Sequence, residues 1–255
     1  MGKRRGRLKS TWTVVDGYRL HARVSTNRVP ADRLPLVLVH GLSVSSLYML
    51  PTARALAPDY RVYAPDLPGF GRSVKPAHVL DIPDLADVLA GYMQAVGVGR
   101  AAMIANSLGC QIVVDFALRY PDLIDRAVLV GPTMDAHART VLRQFWRLVQ
   151  DSLREPPSQP FVVGFDYLRT GFRRTLRTLR YGLADRIEDK MERVTVPMLV
   201  TRGANDPIVS QQWVDELTCL LPRGRQVVFP GAAHTVNYSR PDDLARVTRF
   251  FLHER

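Results

Sequence analysis

Hydrophobic residues along this chain form short runs of strand length, separated by longer stretches with helical spacing. The runs predict buried strands at 34–40, 60–65, 101–104, 123–130, 196–201 and 226–229. Apolar spacing of three and four residues predicts intervening helices at 50–56, 82–96 and 110–120. Strands that alternate with helices are typical of a parallel sheet covered on both faces, so this order predicts an α/β fold with a mostly parallel sheet flanked by helices.

Two further strands are predicted ahead of this alternating region. Residues 11–15 and 18–24 alternate between apolar and polar side chains, and Asp16-Gly17 between them is a favoured hairpin turn. An antiparallel hairpin of this kind would lie at one edge of the sheet. The complete sheet is therefore expected to contain eight strands.

The alternation of strand and helix stops for about sixty residues between Gly131 and Val194. Helical spacing occurs there at 141–153, 161–167 and 172–183. We therefore predict a helical cap at 134–193, inserted after strand 6 and folded over the C-terminal edge of the sheet. The remaining chain divides into a basic N-terminal tail and a two-part core, at 1–10, 11–133 and 194–255.

Large apolar and basic side chains are concentrated in the predicted cap. Trp146 is expected to contact the substrate. The apolar side chains expected to form the interior of the cap are Met134, Phe145, Trp146 and Phe161. A group of arginines follows, at Arg169, Arg173, Arg174, Arg177 and Arg180. Such a group is typical of a solvated helix face, but it would also suit recognition of an anionic substrate or an acidic partner.

A candidate nucleophile lies between the strand at 101–104 and the helix at 110–120. In the sequence Ala-Asn-Ser-Leu-Gly at 105–109, small residues stand two positions before and two positions after Ser107. A sharp strand-to-helix turn leaves no room for larger side chains there, and it projects the serine hydroxyl outward. The pattern therefore indicates a nucleophile elbow.

A serine hydroxyl needs a base to remove its proton and an acid to orient that base. Asp206 lies in a turn after the strand at 196–201, and His234 follows the strand at 226–229. Because the carboxyl ends of parallel strands meet at one edge of a sheet, both residues are expected to meet Ser107 there. Asp135, just after strand 6, is the alternative acid.

Backbone amides are also needed to stabilise the oxyanion of the tetrahedral intermediate. The residues His40-Gly41-Leu42-Ser43 follow the first parallel strand. We predict that the amides of Leu42 and Leu108 bind the oxyanion, and that Ser43 assists them or contacts the substrate. His40 is expected to orient this loop through hydrogen bonds.

Together these motifs resemble the α/β-hydrolase fold family, and the resemblance covers nearly all of the chain. The matching segments are 38–41, 66–73, 105–109, 203–207 and 231–234. The resemblance implies that Ser107, Asp206 and His234 correspond to the family's catalytic triad. It is closest to the capped branch, which includes esterases, lipases, carbon–carbon bond hydrolases and peptidases. Haloalkane dehalogenases and epoxide hydrolases look similar, but they carry Asp at the elbow, and Ser107 argues against both.

The composition is ordinary for a globular protein, with 46% hydrophobic and 23% charged residues among 255. No apolar run approaches the ~20 residues that span a bilayer, and no signal-peptide core follows the basic N-terminus. The two cysteines, Cys110 and Cys219, are expected to be buried and reduced. These features favour a cytoplasmic location.

The net charge of +11 includes five positive charges within the first nine residues. No zinc-ligand spacing and no RNA-binding signature accompanies this charge, so nucleic-acid binding is not predicted. Weak surface association with anionic lipid or acidic partners is compatible with it. Both a monomer and a homodimer are compatible with the sequence.

The sequence therefore predicts a serine hydrolase that cleaves a carboxylic ester through an acyl-enzyme, without a metal or an organic cofactor. The expected substrate is a small-molecule ester with a short to medium acyl chain. One alternative is a carbon–carbon bond hydrolase acting on a ring-cleavage dienoate, because a basic cap would suit its carboxylates. That subfamily usually has an aromatic residue after the histidine, where this chain has Thr235. The other alternative is a non-catalytic ligand-binding member of the fold.

Overall fold

A central β-sheet organises the protein, for which a computed structural model describes residues 5–253. Within this range its eight strands, β1 to β8 in chain order, are Leu8–Val15, Tyr18–Ser25, Leu36–Val39, Val62–Pro65, Ala101–Asn106, Ile124–Val130, Met198–Gly203 and Gly224–Phe229. Their spatial order is β1-β2-β4-β3-β5-β6-β7-β8. β2 pairs antiparallel with both β1 and β4, whereas every other neighbouring pair is parallel. The predicted mostly parallel, eight-stranded sheet is confirmed.

β1 begins inside the segment predicted to be an N-terminal tail. Leu8 pairs with Ser25, and Lys9 pairs with Val24. The backbone N–H of Gly6 donates to the carbonyl of Arg54 at 2.8 Å, which holds the chain ahead of β1 against the core. The tail boundary predicted at residue 10 is therefore wrong, because these residues are held by backbone hydrogen bonds. Residues 1–4 of the predicted tail lie outside the described residues.

Helices cover both faces of the sheet. In chain order, α1 to α10 within residues 5–253 are Ser46–Leu56, Ile82–Ala95, Leu108–Arg119, Val141–Ser152, Ser158–Thr170, Phe172–Ala184, Glu188–Met191, Gln211–Leu220, Val236–Ser239 and Pro241–His253. Successive side chains of a strand point to opposite faces, which separates two apolar cores. Val37 and Val39 of β3 belong to the core beneath α2, α3 and α8, and Leu36 and Leu38 belong to the core beneath α1 and α10.

The helices α4 to α7 lie between β6 and β7, in a segment that we call the helical insertion (residues 134–193). Two hydrogen bonds connect its helix α5 to the loop after β3. The Ser45 hydroxyl donates to Asp166 Oδ2 at 2.6 Å, and the Thr170 hydroxyl donates to the Ser43 carbonyl at 3.3 Å. Because this loop follows the C-terminal end of β3, α5 lies against that edge of the sheet. None of the helices within residues 5–253 combines the length and the apolar character needed to cross a membrane.

Several side chains that were expected to be buried are on the surface. Phe145, Trp146 and Phe161 are 54%, 57% and 79% exposed, so the prediction that they form the interior of the insertion is wrong. Met134, in contrast, is buried as expected. The reason is that polar residues of α4 and α5 occupy the inward positions, as described below.

The two cysteines differ in their burial. Cys110 is buried in α3, as predicted, but Cys219 in α8 is exposed. The buried face of α8 carries Trp213, Val214 and Leu217. Leu217 lies on the buried face, and residues two positions apart on a helix do not share a face. Cys219 therefore points to solvent.

Candidate active site

Ser107 lies at the turn between β5 and α3 in a strained conformation. Its φ is +57° and its ψ is −126°, in a region that residues other than glycine rarely adopt, at a cost on the order of 1–3 kcal/mol. The Ser107 N–H donates to the Val130 carbonyl at 2.9 Å, and the Asn106 side-chain amide donates to the same carbonyl at 3.1 Å. These bonds to the end of β6 hold the strained turn in place.

Close approach of the backbone explains the small residues around this turn. A Cβ atom at Gly109 would lie 2.6 Å from the carbonyl oxygen of His40. A Cβ atom at Gly41 would lie 2.9 Å from Cβ of Ser107. Either side chain would force the loop after β3 away from the turn. The two glycines therefore allow this loop and the N-terminus of α3 to meet beside Ser107.

The loops after β7 and β8 bring Asp206 and His234 together. His234 Nδ1 lies 2.8 Å from Asp206 Oδ2, and both side chains are buried. Asp206 Oδ1 accepts hydrogen bonds from the backbone N–H groups of Ile208 at 2.7 Å and Val209 at 3.0 Å. With Oδ1 held by two amides, Oδ2 accepts the Nδ1 proton, which leaves the imidazole's lone pair on Nε2. That Nε2 atom is buried and has no hydrogen-bond partner within residues 5–253.

A narrow cavity of about 50 Å³ contains both Ser107 and His234 in its lining. The loop after β3 contributes Gly41 and Leu42 to the same cavity. Helices α4 and α5 complete it with Gln144, Leu148, Asp151, Gln159, Val163 and Tyr167. Since a buried water needs at least about 10–15 Å³ of such space, the cavity holds only a few water molecules.

Asp135, the alternative acid, binds a different partner. Its Oδ2 is 3.0 Å from Arg147 Nη1, and its Oδ1 accepts the backbone N–H of His137 at 2.9 Å. Burial acts to raise the pKa of Asp135, but the Arg147 guanidinium and hydrogen bonds from the His137 and Ser210 amides together outweigh burial and lower it. Asp135 therefore anchors α4, and the carboxylate beside His234 belongs to Asp206.

Another serine, histidine and aspartate meet away from this cavity. His21 Nδ1 lies 2.8 Å from Asp66 Oδ2, and His21 Nε2 lies 2.9 Å from the hydroxyl oxygen of Ser10. None of these three residues lines the cavity that contains Ser107. Ser10 lies in the exposed edge strand β1, away from the two loops that carry Leu42 and Leu108. This cluster joins β1, β2 and the loop after β4, and it provides a natural comparison for the candidate site.

His40 holds the loop after β3 in the way that the sequence indicated. The backbone N–H of Leu67 donates to His40 Nε2 at 3.1 Å, so Nε2 is the acceptor. The proton is then on Nδ1, which lies 2.9 Å from the Gly41 carbonyl oxygen. Burial lowers the pKa of His40, which favours this neutral form. His40 therefore connects the loops after β3 and β4 through hydrogen bonds.

The structure places two predicted substrate contacts outside the cavity. The Ser43 hydroxyl lies 2.8 Å from the hydroxyl of Thr175 in α6, and Ser43 is not among the residues that line the cavity. Trp146 does not line it either, because its side chain lies on the outer face of α4. Both predictions are therefore corrected: Ser43 connects the core to the helical insertion, and Trp146 faces solvent.

Two buried carboxylates beside the histidine were not predicted. Asp151 Oδ1 accepts the backbone N–H of His234 at 3.0 Å, and Glu155 Oε1 accepts the backbone N–H of Thr235 at 2.6 Å. Asp151 also lines the cavity. The available signal was the apolar stripe of α4, because it leaves Gln144 and Asp151, seven residues apart, on the opposite face.

These carboxylates change the proton affinity of the site. Burial acts to lower the pKa of His234, but the negative charge of Asp206, with Asp151 and Glu155 adding to it, outweighs burial and raises this pKa to about 9. Burial raises the pKa of Asp151 to about 7, although the nearby His234 acts in the opposite direction. His234 and Asp151 therefore titrate as a coupled pair.

Curated relatives and solved structures resemble nearly the whole chain. The 2-(acetamidomethylene)succinate hydrolase of Mesorhizobium japonicum is 28% identical, and the alignment covers 89% of this chain and 92% of that protein. Esterase YbfF of Escherichia coli is 27% identical over 92% of this chain and all of that protein. The crystal structure of a bacterial membrane phospholipase A has a TM-score of 0.81 at 22% identity, covering 96% of this chain and 86% of that one. Residues 36–247 match the alpha/beta hydrolase family, and the protein belongs to that family.

Proposed function

We propose that this protein is a serine hydrolase that cleaves a carboxylic ester through an acyl-enzyme. The observation that carries the proposal is the environment of His234. Its Nδ1 is paired with Asp206 at 2.8 Å, its Nε2 is unpartnered within residues 5–253, and its ring lines the same cavity as Ser107. An imidazole held in this way is suited to remove the serine proton.

In the proposed reaction, Ser107 Oγ attacks the ester carbonyl carbon while His234 Nε2 takes the hydroxyl proton. The backbone amides of Leu42 and Leu108 bind the oxyanion; within residues 5–253 neither amide donates to another group. The imidazolium then protonates the departing alkoxide. Water, activated by the same nitrogen, releases the acid from Ser107. Asp206 keeps the imidazole in the required tautomer and stabilises its positive charge, and no metal or organic cofactor takes part.

The helical insertion would act as a cap in this reaction. Helices α4 and α5 line the cavity together with the loop after β3, and the cavity of about 50 Å³ is too small for an ester with an acyl chain. Substrate entry therefore requires these helices to move outward. Their return would exclude water from the oxyanion, which strengthens its hydrogen bonds.

The cavity favours a neutral ester over a dicarboxylate. Leu148, Val163 and Leu179 supply apolar surface for an acyl chain. Asp151 and Glu155 place negative charge beside His234 and would repel an anionic substrate at this position. The negative charge therefore favours ester cleavage over carbon–carbon bond cleavage of a dienoate.

A fluorophosphonate probe tests whether Ser107 is activated, whatever the substrate. We expect the full-length protein to be labelled, and peptide mass spectrometry to locate the adduct on Ser107. p-Nitrophenyl esters from acetate to octanoate would then define the acyl preference, with a ring-cleavage dienoate measured in parallel. Absence of both labelling and turnover would contradict the proposal and favour a ligand-binding protein. Turnover of the dienoate alone would favour carbon–carbon bond cleavage.

The pH dependence of turnover tests the role of Asp151. Ester kcat/KM is expected to rise with pH up to about 9, because His234 must lose its proton to act as the base. Asp151, with its pKa of about 7, is ionised over the upper part of this rise and favours the imidazolium. Asp151→Asn keeps an oxygen for the His234 N–H but removes the charge. The rise should therefore move to lower pH, by about one pH unit.

Asp122→Asn is the matched control for this measurement. Asp122 is exposed and precedes β6, at the opposite edge of the sheet from His234. Its replacement should leave the pH profile of kcat/KM unchanged. A profile of Asp151→Asn that coincides with wild type, or that moves to higher pH, would show that the Asp151 carboxylate does not act on the base.

A further inference from the structure

Helix α4 turns an apolar face to solvent and a polar face to the core. Leu142, Phe145 and Trp146 are 67%, 54% and 57% exposed, and Leu153 just beyond the helix is 84% exposed. The three-and-four-residue spacing of these side chains places them along one stripe. A surface helix of a globular protein normally has the reverse arrangement.

Helix α5 repeats this inversion. Phe161 is 79% exposed, Phe165 56% and Leu168 86%, again at spacings of four and three residues. Phe172, at the start of α6, is 80% exposed as well. Two successive helices of the same insertion therefore present apolar stripes to the outside.

The orientation of both helices is fixed by their inward polar side chains. On α4, Gln144 donates to the Ala138 carbonyl at 3.0 Å, and Asp151 accepts the N–H of His234. On α5, Asp166 accepts the Ser45 hydroxyl at 2.6 Å. Rotating either helix to bury its apolar stripe would break these buried hydrogen bonds. The buried hydrogen bonds therefore keep the apolar stripes of both helices exposed to solvent.

Both stripes face away from the cavity that contains Ser107. The inner faces of α4 and α5 line one cavity, through residues such as Leu148 and Val163. The outer face of each helix therefore points away from this cavity, and both helices belong to the insertion at the C-terminal edge of the sheet. An exposed apolar surface of this extent on a globular protein marks an interaction site.

The charge around the stripes is of one sign. Residues 139–184 contain three acidic side chains, and all of them are buried: Asp151, Glu155 and Asp166. The same segment has six exposed arginines, and none of them forms an ion pair with a carboxylate in the described part of the chain: Arg143, Arg154, Arg169, Arg173, Arg177 and Arg180. The outer surface of residues 139–184 thus combines large apolar side chains with positive charge only.

We propose that the outer faces of α4 and α5 dock onto an anionic lipid bilayer. Leucine and aromatic side chains enter the region between headgroups and acyl chains, and the flanking arginines bind the negatively charged headgroups. A second copy of this chain fits the surface less well, because it would bring two sets of arginines together without a compensating carboxylate. The docking does not depend on whether Ser107 is a nucleophile, since it uses only the outer faces.

Cosedimentation of the full-length protein with vesicles tests the proposal. We expect binding to vesicles of equal parts phosphatidylcholine and phosphatidylglycerol, and much weaker binding to phosphatidylcholine alone. Raising the salt to about 1 M, where the Debye length is ~3 Å, should weaken binding because the arginine contribution is screened. Absence of binding to the anionic vesicles at low salt would overturn the proposal.

Matched double variants separate the stripe from general surface hydrophobicity. Phe161→Gln with Leu168→Gln should weaken binding to anionic vesicles by roughly tenfold or more. Val14→Gln with Phe250→Gln is the control, because Val14 and Phe250 are 66% and 73% exposed outside the insertion. Equal losses in the two pairs would overturn the proposal. All four side chains are exposed, and circular dichroism would verify that each variant is folded.

The arginine contribution is tested in the same way. Arg173→Gln with Arg177→Gln should weaken binding, whereas Arg28→Gln with Arg223→Gln should not, because the latter two residues precede β3 and β8 at the opposite edge of the sheet. Binding that is lost with Lys3→Gln and Arg4→Gln but is insensitive to Arg173→Gln with Arg177→Gln would assign the attraction to the N-terminus and overturn the proposal.

Quenching of tryptophan fluorescence can be measured in the wild-type protein, so this test does not depend on the folding of a stripe variant. Brominated phosphatidylcholine mixed with phosphatidylglycerol should quench Trp146, and Trp146→Phe should remove the quenched component. Trp12→Phe is the control, since Trp12 is 44% exposed on β1. Quenching of Trp12 instead of Trp146 would contradict the docking geometry.

The oligomeric state of the protein tests the alternative occupant of this surface. If the protein forms a dimer that Phe161→Gln with Leu168→Gln dissociates, and it does not bind vesicles, the surface would be assigned to a second copy of the chain.

Discussion

Replacing Ser107 by alanine is expected to lower kcat/KM for p-nitrophenyl esters by about 10⁶-fold. In the proposed mechanism the variant lacks the oxygen that would form the acyl-enzyme, while the amides of Leu42 and Leu108 and the cavity are retained. Only the residual acceleration from substrate binding and the oxyanion hole, about 10³-fold over water, should remain. Steady-state hydrolysis and fluorophosphonate labelling of the purified variant would measure the loss, and labelling should be absent.

Ser10→Ala is the natural control for this experiment. The Ser10 hydroxyl oxygen lies 2.9 Å from His21 Nε2, and His21 in turn contacts Asp66. Ser10 lies outside the cavity, so its replacement should leave ester turnover and labelling intact. If Ser107→Ala hydrolysed esters as fast as wild type while Ser10→Ala did not, the nucleophile would have been assigned to the wrong serine.

Replacing Asp206 by asparagine should reduce kcat by about 10⁴-fold with little change in the fold. The asparagine oxygen can still accept the N–H groups of Ile208 and Val209, which are 2.7 and 3.0 Å from Oδ1 in the native loop. The new amide nitrogen would then face His234 Nδ1 as a donor. This arrangement puts the imidazole proton on Nε2, where the base needs a lone pair. Stopped-flow or steady-state kinetics, normalised to folded protein, would measure the decrease.

Asp135→Asn is the matched comparison, because Asp135 is also buried and follows a neighbouring strand. Its carboxylate binds Arg147 at 3.0 Å, so its loss should affect thermal stability more than turnover. A larger kinetic loss for Asp135→Asn than for Asp206→Asn would indicate that the acid changes partner during the reaction. The structure would then describe a resting arrangement different from the reactive one.

The positions of the candidate residues follow from local sequence patterns and from the rules for parallel sheets. Ser107, Asp206 and His234 each follow an apolar strand, and strands in a parallel sheet end at one edge. The glycines at 41 and 109 are required by close backbone contacts that any such turn must make. These features are local, so the order of residues along the chain was sufficient to predict them.

The helical insertion shows where sequence patterns are insufficient. The spacing of apolar residues in α4 and α5 reveals an apolar stripe on each helix, but this spacing does not show whether the stripe faces the core or the solvent. Trp146 was expected to contact substrate because apolar faces are usually buried. In the structure, Asp151 and Asp166 occupy the inner positions because the His234 amide and the Ser45 hydroxyl donate hydrogen bonds to them. Those partners come from distant parts of the chain.

The amino-acid sequence determined the sheet, the order of its elements and the edge at which the candidate side chains lie, because each depends on strand length, periodicity and turn chemistry. Tertiary packing alone decided which face of α4 and α5 lies inside, and with it the charge around His234 and the apolar outer surface. The physical reason is that a buried carboxylate is stable only where donors surround it. Donors contributed by other loops become apparent only when the chain is folded.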